Sequence, residues 1–280
     1  MKNENMGLMP SFGNSLFSCI SDSVTDTADC VLDNLSEAIL TGDLKKYIPI
    51  IQDLPIINYF VSAGKMVATV RDQLFLKKTL KFISELNNGK LNESEVKRRQ
   101  EALSNKEKWI YDELEILIST LEQLDRMEKT KIVSEIYKMY INGEIDKYIF
   151  DDLCGITERL FLPDIVQLRA EYEDEQEVEE SKRKETNETV FVTEKHTRYV
   201  DVTGRLLALG LMRLVVKNPK NICANDDVFD AAEYTLSRKG KLYMELLSRL
   251  NFLDITEKRN KKYSSPKCYY YNVGVEQSNK

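Results

Sequence analysis

The sequence holds a single histidine, His196, in 280 residues. No metal site built on two or three imidazoles can form within one such chain. Any Ser-His or Cys-His catalytic pair would have to use His196, and so would a histidine general base. The sequence identifies no hydrogen-bonding partner for it, so a surface or capping histidine is the plainer reading. Glycine and proline are also scarce, eleven and six. Their scarcity speaks against glycine-rich phosphate loops and against turn-rich all-β folds. Neither Gly-x-x-x-x-Gly-Lys-[Ser/Thr], Gly-x-Gly-x-x-Gly nor Gly-x-Ser-x-Gly occurs, and Ala63-Gly64-Lys65 lacks the upstream glycine.

The five cysteines are Cys19, Cys30, Cys154, Cys223 and Cys268, an odd number with no C-x-x-C spacing. Neither a disulfide framework nor a zinc knuckle is expected, and reduced thiols in a cytoplasmic protein are. Residues 1–10 carry no apolar signal core. A membrane span is not expected either. The most apolar stretch, 48–70, is interrupted by Pro49, Gln52, Asp53, Pro55 and Lys65, whereas a spanning helix needs about 20 apolar residues in a row. A buried core helix is the default for this stretch, and a helix lying at a membrane surface is the alternative. In either case Ile56, Ile57, Phe60, Val61, Met66 and Val67 are its candidate contact residues toward a partner or a membrane.

What the sequence does contain is helical periodicity. Residues 27–40 place Ala28, Val31, Leu32, Leu35 and Ile39 at helical spacing, and 74–86 form a strongly amphipathic run on Leu76, Leu80 and Ile83. Asn92 and Ser104, each followed three residues later by Glu, fit the pattern of helix-starting capping boxes. The clearest seam is Ile110, Leu114, Leu117, Leu121 and Leu124, alternating steps of four and three. Residues 129–141 and 145–160 repeat the theme, and Pro163 suits the first turn of a further helix. Trp109 reads as a core anchor.

Charge divides the chain in three. Residues 1–170 carry 21 basic and 27 acidic side chains, 171–195 carry four and ten, and 196–280 carry fifteen and nine. The acidic stretch reads as a solvated linker. The basic end has its own pattern. A helix over 199–209 runs through Leu209-Gly210-Leu211 into a strand. A polar loop, a short strand at 233–236 and a helix capped by Ser237 follow. A glycine between helix and strand permits a sharp turn, and the whole reads as the second half of a winged helix.

The expected fold is therefore mainly α. It comprises an N-terminal arm (1–26), a helical bundle (27–170), a charged linker (171–190), a small α+β winged-helix-like domain (191–255) and a C-terminal tail (256–280). If the small domain binds nucleic acid, Arg205, Arg213, Lys217, Lys220, Arg238, Lys239 and Lys241 are its candidate contacts. The carboxylates Asp151, Asp152, Glu158 and Asp164 can be read as a divalent-ion site, but a solvated helix face is the simpler account. Tyr269, Tyr270 and Tyr271 read as part of a terminal strand or docking tail. No cofactor is expected.

Two segments carry a resemblance. Asp53-Leu54-Pro55-Ile56-Ile57, with Val61 to Lys65 and Arg71 to Lys78, resembles a pattern in uncharacterised bacterial and prophage proteins. Leu209-Gly210-Leu211 with Tyr234-Thr235-Leu236-Ser237-Arg238-Lys239-Gly240-Lys241, and Asp164 and Leu168 upstream, is similar to the end of the abortive-infection alpha family. The resemblance implies a bacterial or mobile-element protein linked to phage conflict, and it transfers no catalytic residue. The expected function is a non-enzymatic interaction protein that binds a protein partner or itself, or associates with a membrane surface. A winged-helix regulator binding nucleic acid is the alternative.

Overall fold

The structure, a computed structural model, describes residues 5–21, 70–183, 200–216 and 232–250. Among these the chain is mainly helical, with one two-stranded sheet. The helices are α1 (Asn5–Ser21), α2 (Val70–Asn87), α3 (Glu93–Ser104), α4 (Lys108–Gln123), α5 (Lys129–Ile141), α6 (Lys147–Arg159) and α7 (Leu162–Arg183). After them come α8 (Val200–Ala208), β1 (Met212–Val216), β2 (Ala232–Leu236) and α9 (Arg238–Arg249).

Periodicity explains the helical body. The 110–124 seam becomes the buried face of α4: Ile110, Leu114, Leu117 and Leu121 are all fully buried, with Leu124 just past the helix end. Helix α5 buries Ile132, Val133, Ile136 and Tyr137 and packs between α2 and α6. Asn92 caps α3 by accepting a hydrogen bond from the Ser94 N–H. The reciprocal half of that box does not form, since the Asn92 N–H donates to the Asn142 side chain and Glu95 pairs with Arg98 and Arg99, and the second expected box is absent altogether. Ser104 ends α3, its hydroxyl donating to the Gln100 carbonyl, and α4 starts after Glu107 without a side-chain cap. The turn between them is instead made by Lys106, in the left-handed region at φ 57°.

The structure corrects two expected boundaries. Within the span expected to be an N-terminal arm, residues 5–21 are helix α1, and Phe12, Leu16, Phe17 and Cys19 are buried in the core. Ser, Asn and Gly are weak helix formers, but burial of this apolar face overrides propensity. Gly13 permits the close approach: a Cβ there would stand 2.7 Å from methyls of both Leu103 and Leu114. The expected linker is also partly helical, since α7 continues through 171–183. Its 165–175 portion is anchored by buried Ile165, Leu168 and Glu171.

The C-terminal module has the helix–strand–strand–helix order read from the sequence. Strands β1 and β2 are antiparallel, with Met212 opposite Leu236 and Leu214 opposite Tyr234. The Met212–Leu236 base of the hairpin is buried, while Leu214 is half-exposed. Gly210 makes the turn after α8 at φ +72°. Ser237 caps α9 by accepting from the Gly240 N–H at 2.9 Å, and its own hydroxyl donates to the Gly210 carbonyl at 2.6 Å. One continuous buried cluster runs from Phe12 to Leu247, so module and helical body share a core. Expectations for 22–69, 184–199, 217–231 and 251–280 lie outside the described residues; these include the 27–40 helix, the apolar stretch up to Thr69, His196 and the tyrosine tail.

Two glycines test this geometry in opposite directions. A Cβ on Gly240 would stand 2.1 Å from the Leu211 carbonyl oxygen, whereas one on Gly204 in α8 meets nothing within 4 Å. Gly240→Ala is expected to destabilise the protein by roughly 3 kcal/mol, the upper range of overpacking costs. Gly204→Ala is expected to stabilise it by about 0.5–1 kcal/mol through helix propensity. Urea unfolding of the two variants checks both signs.

Candidate functional site

Three of the seven cations singled out by sequence, Arg205, Lys239 and Lys241, meet carboxylates of the helical body. Arg205 on α8 donates to Asp164 on α7 in a fork, Nε to Oδ2 at 3.0 Å and Nη2 to Oδ1 at 2.5 Å, and Asp164 is fully buried. The Arg205 guanidinium also lies over the Phe161 ring, 5.5 Å from its centre. Lys239 pairs with Asp152 on α6, and Lys241 pairs with Glu175 on α7 at 2.9 Å. Glu175 does double duty, because its other oxygen accepts the Leu236 N–H at 2.6 Å. One carboxylate therefore ties both β2 and α9 to α7.

Two further contacts on this seam were not anticipated. Arg249 at the end of α9 donates to Glu144 at 2.8 Å; this bond, helped by the Glu144 charge and opposed by burial, holds its pKa above the ordinary value. The Tyr243 hydroxyl, fully buried, lies 3.0 Å from the Thr157 hydroxyl on α6. Burial pushes the Tyr243 phenol well up. Arg213 and Arg238 point outward: Arg213 donates to the Thr235 hydroxyl at 3.3 Å, and both side chains are exposed. Lys217, Lys220, Ile56, Ile57, Phe60, Val61, Met66 and Val67 lie outside the described residues. A signal for the seam was available: the acidic run 171–175 and the basic run 238–241 have opposite charge. Sequence alone does not say that they touch.

The expected carboxylate cluster is dispersed. Asp152 and Asp164 face the module as described, while Asp151 and Glu158 line a separate open cleft of about 430 Å³ between α4 and α6. Asp112, Glu115 and Lys147 line it too. Burial raises the Glu158 carboxyl above its ordinary range, against Arg159 and Lys129. Among the described residues no group of three or more His, Cys, Asp or Glu side chains is placed to hold a metal ion. Cys154 beside this cleft is buried, and burial pushes its thiol up. A nucleophilic thiolate needs the reverse.

The helical body has a polar centre of its own. Arg99 on α3 donates to Glu113 on α4 at 2.9 Å, and the Tyr137 hydroxyl on α5 donates to the same carboxylate oxygen at 2.7 Å. Arg99 also donates to Glu95 at 2.8 Å and lies over the Tyr140 ring at 5.0 Å. Burial works against the Arg99 charge, but Glu113 and Tyr137, with the hydrogen bonds to Glu113 and Glu95, outweigh it and raise its pKa. Burial, and then the Glu113 charge, push the Tyr140 hydroxyl up to about 12. Trp109 is half-buried rather than a core anchor. Its indole N–H donates to Glu107 at 2.6 Å, with the Arg98 guanidinium 4.8 Å from the ring centre.

This centre ties helices α3, α4 and α5 together. Removing one partner leaves a buried charge uncompensated. Glu113→Ala is expected to cost about 3–5 kcal/mol, and Tyr137→Phe about 1–3 kcal/mol through the lost donor. Chemical denaturation of the two variants measures both.

Comparison with known proteins leaves the chain alone: no family model, no curated protein and no solved structure matches it.

Proposed function

We propose that the chain is a non-enzymatic interaction protein that works through contacts of its helical body. The observation that carries this reading is the pairing of the C-terminal cations within the chain. A module that reads DNA presents its cations to phosphates and base edges. Here Arg205, Lys239, Lys241 and Arg249 instead face Asp164, Asp152, Glu175 and Glu144. In its resting state the module serves the body as a docked part.

The exposed apolar side chains support a contact role. Tyr148 on α6 is 79 % exposed, and Phe161 and Val166 around the first turn of α7 are 53 % and 48 % exposed. The partner is a protein or a second copy of this chain. The resemblance to the abortive-infection alpha family assigns that contact to phage defence or counter-defence. Membrane-surface association through 48–70 is a variant of the same role. No described helix is long and apolar enough to cross a membrane.

The test is binding of a labelled DNA duplex by the full chain. The expected affinity is no tighter than ordinary non-specific binding, roughly 10⁻⁴–10⁻⁶ M at physiological salt. Nanomolar, sequence-dependent binding would reverse the reading in favour of a nucleic-acid regulator.

A further inference from the structure

We propose that the outer edge of β1 accepts an extended acidic segment of a protein partner, which adds to the hairpin as a third, antiparallel strand. The inference rests on the reading of the chain as an interaction protein and adds a second contact surface, on the module.

Backbone bonding identifies the edge. Opposite residues of an antiparallel pair alternate between exchanging hydrogen bonds and exchanging none. The Ser237 N–H donates to the Leu211 carbonyl at 3.0 Å, so Leu211–Ser237 is a bonded position. In the same register Met212–Leu236 and Leu214–Tyr234 are non-bonded, and Arg213–Thr235 is bonded. The Leu236 N–H agrees with this, because it turns away from β1 to Glu175 at 2.6 Å. Met212, Leu214 and Val216 therefore direct their N–H and C=O groups away from β2. Among the described residues no strand pairs with that edge, and no hydrogen bond takes the outward groups of Leu214.

The hairpin treats its two edges differently. Glu175 of α7 covers the β2 edge at Leu236. The β1 edge stands open beside the Leu214 side chain, which is 51 % exposed. An open edge is a template for another chain, and strand addition is a recurrent mode of peptide recognition.

Charge selects the occupant. Strand β1 carries Arg213 and no acidic residue. Arg213 is exposed, bonds the Thr235 hydroxyl through Nε and pairs with no described carboxylate. Two copies of β1 joined antiparallel about Leu214 would set their arginines on a diagonal of one face, about 7–8 Å apart and within reach of each other. A strand alternating apolar and acidic residues avoids this. Its apolar residue opposite Leu214 extends the face that carries buried Met212. Its next residue, a carboxylate, then stands opposite Arg213.

The experiment titrates the full chain with a capped synthetic peptide that alternates valine and glutamate. Binding should slow hydrogen exchange of the Leu214 amide and leave that of Leu236 unchanged. N-methylation of the valines, whose N–H groups face β1, should abolish binding, whereas N-methylation of the glutamates should leave it intact. Lysine in place of glutamate should weaken binding about fivefold, and Arg213→Glu should reverse that preference. Leu214→Pro removes only an outward N–H and spares the β1–β2 ladder; it should weaken binding about tenfold. Absence of binding at millimolar peptide overturns the proposal, as does binding that survives valine N-methylation or leaves the Leu214 amide unprotected. A Leu214 amide already protected in the free chain, or a dimer in light scattering that Leu214→Pro dissociates, assigns the edge to this chain itself and overturns it too. If Leu214→Pro does not fold, the N-methylated peptides decide on the unmodified chain. Any of these failures leaves contacts of the helical body standing, whereas nanomolar, sequence-dependent DNA binding sinks the proposed function, so the two are distinguishable.

Discussion

Charge complementarity between a basic C-terminal module and the acidic helices beneath it is the constraint on which the rest of this molecule turns. Apolar burial supplies the bulk of the adhesion: Leu206, Leu211, Met212, Leu236, Tyr243, Leu246 and Leu247 join the core of the body. Burial of this kind is roughly proportional to area and has no direction. Orientation has to come from polar contacts. Glu175, bonded to both the Leu236 N–H and Lys241, fixes the register of β2 and α9 against α7. The Arg205–Asp164 fork does the same for α8. Bidentate pairs of this geometry carry specificity as well as energy.

The body uses the same device internally at higher risk. Arg99, Glu113 and Tyr137 bring three polar groups into the interior, where desolvation is costly and a half-satisfied network is worse than an apolar one. The aromatic rings of Tyr140 and Phe150, stacked with centres 4.8 Å apart, and the cation–π contact of Arg99 with Tyr140 enclose the site. Lys78 shows a milder version. Its ammonium donates to the carbonyls of Glu122 and Leu124 at the end of α4, and burial lowers its pKa. A cation there complements the negative end of the helix dipole.

Much of this architecture was legible beforehand because it is local. The 110–124 seam, the 129–141 helix, the glycine turn at 210 and the Ser237 cap each depend on residues within a turn or two of one another. Helix α1 was not legible. Its serines, asparagine and glycine resemble a mobile arm until the partners of Phe12, Leu16 and Phe17 are known. The acidic stretch failed in the other direction: 171–175 read as solvated, although Glu171 is buried and Glu175 bonds the module. Three of the candidate cations pair within the chain, a role their sequence did not suggest, because the partners lie 41 to 87 positions away, as for Arg205 with Asp164 and Lys239 with Asp152. Periodicity and spacing carry no information at that range.

Zero-length carbodiimide coupling of the native full chain, followed by peptide mass mapping, tests the docked seam most directly, because it joins only amines and carboxylates already in contact. The account predicts Lys239–Asp152 and Lys241–Glu175 links as major products that weaken as salt rises. Lysines 239 and 241 that form neither link, while reacting freely with a soluble amine reagent, would contradict it.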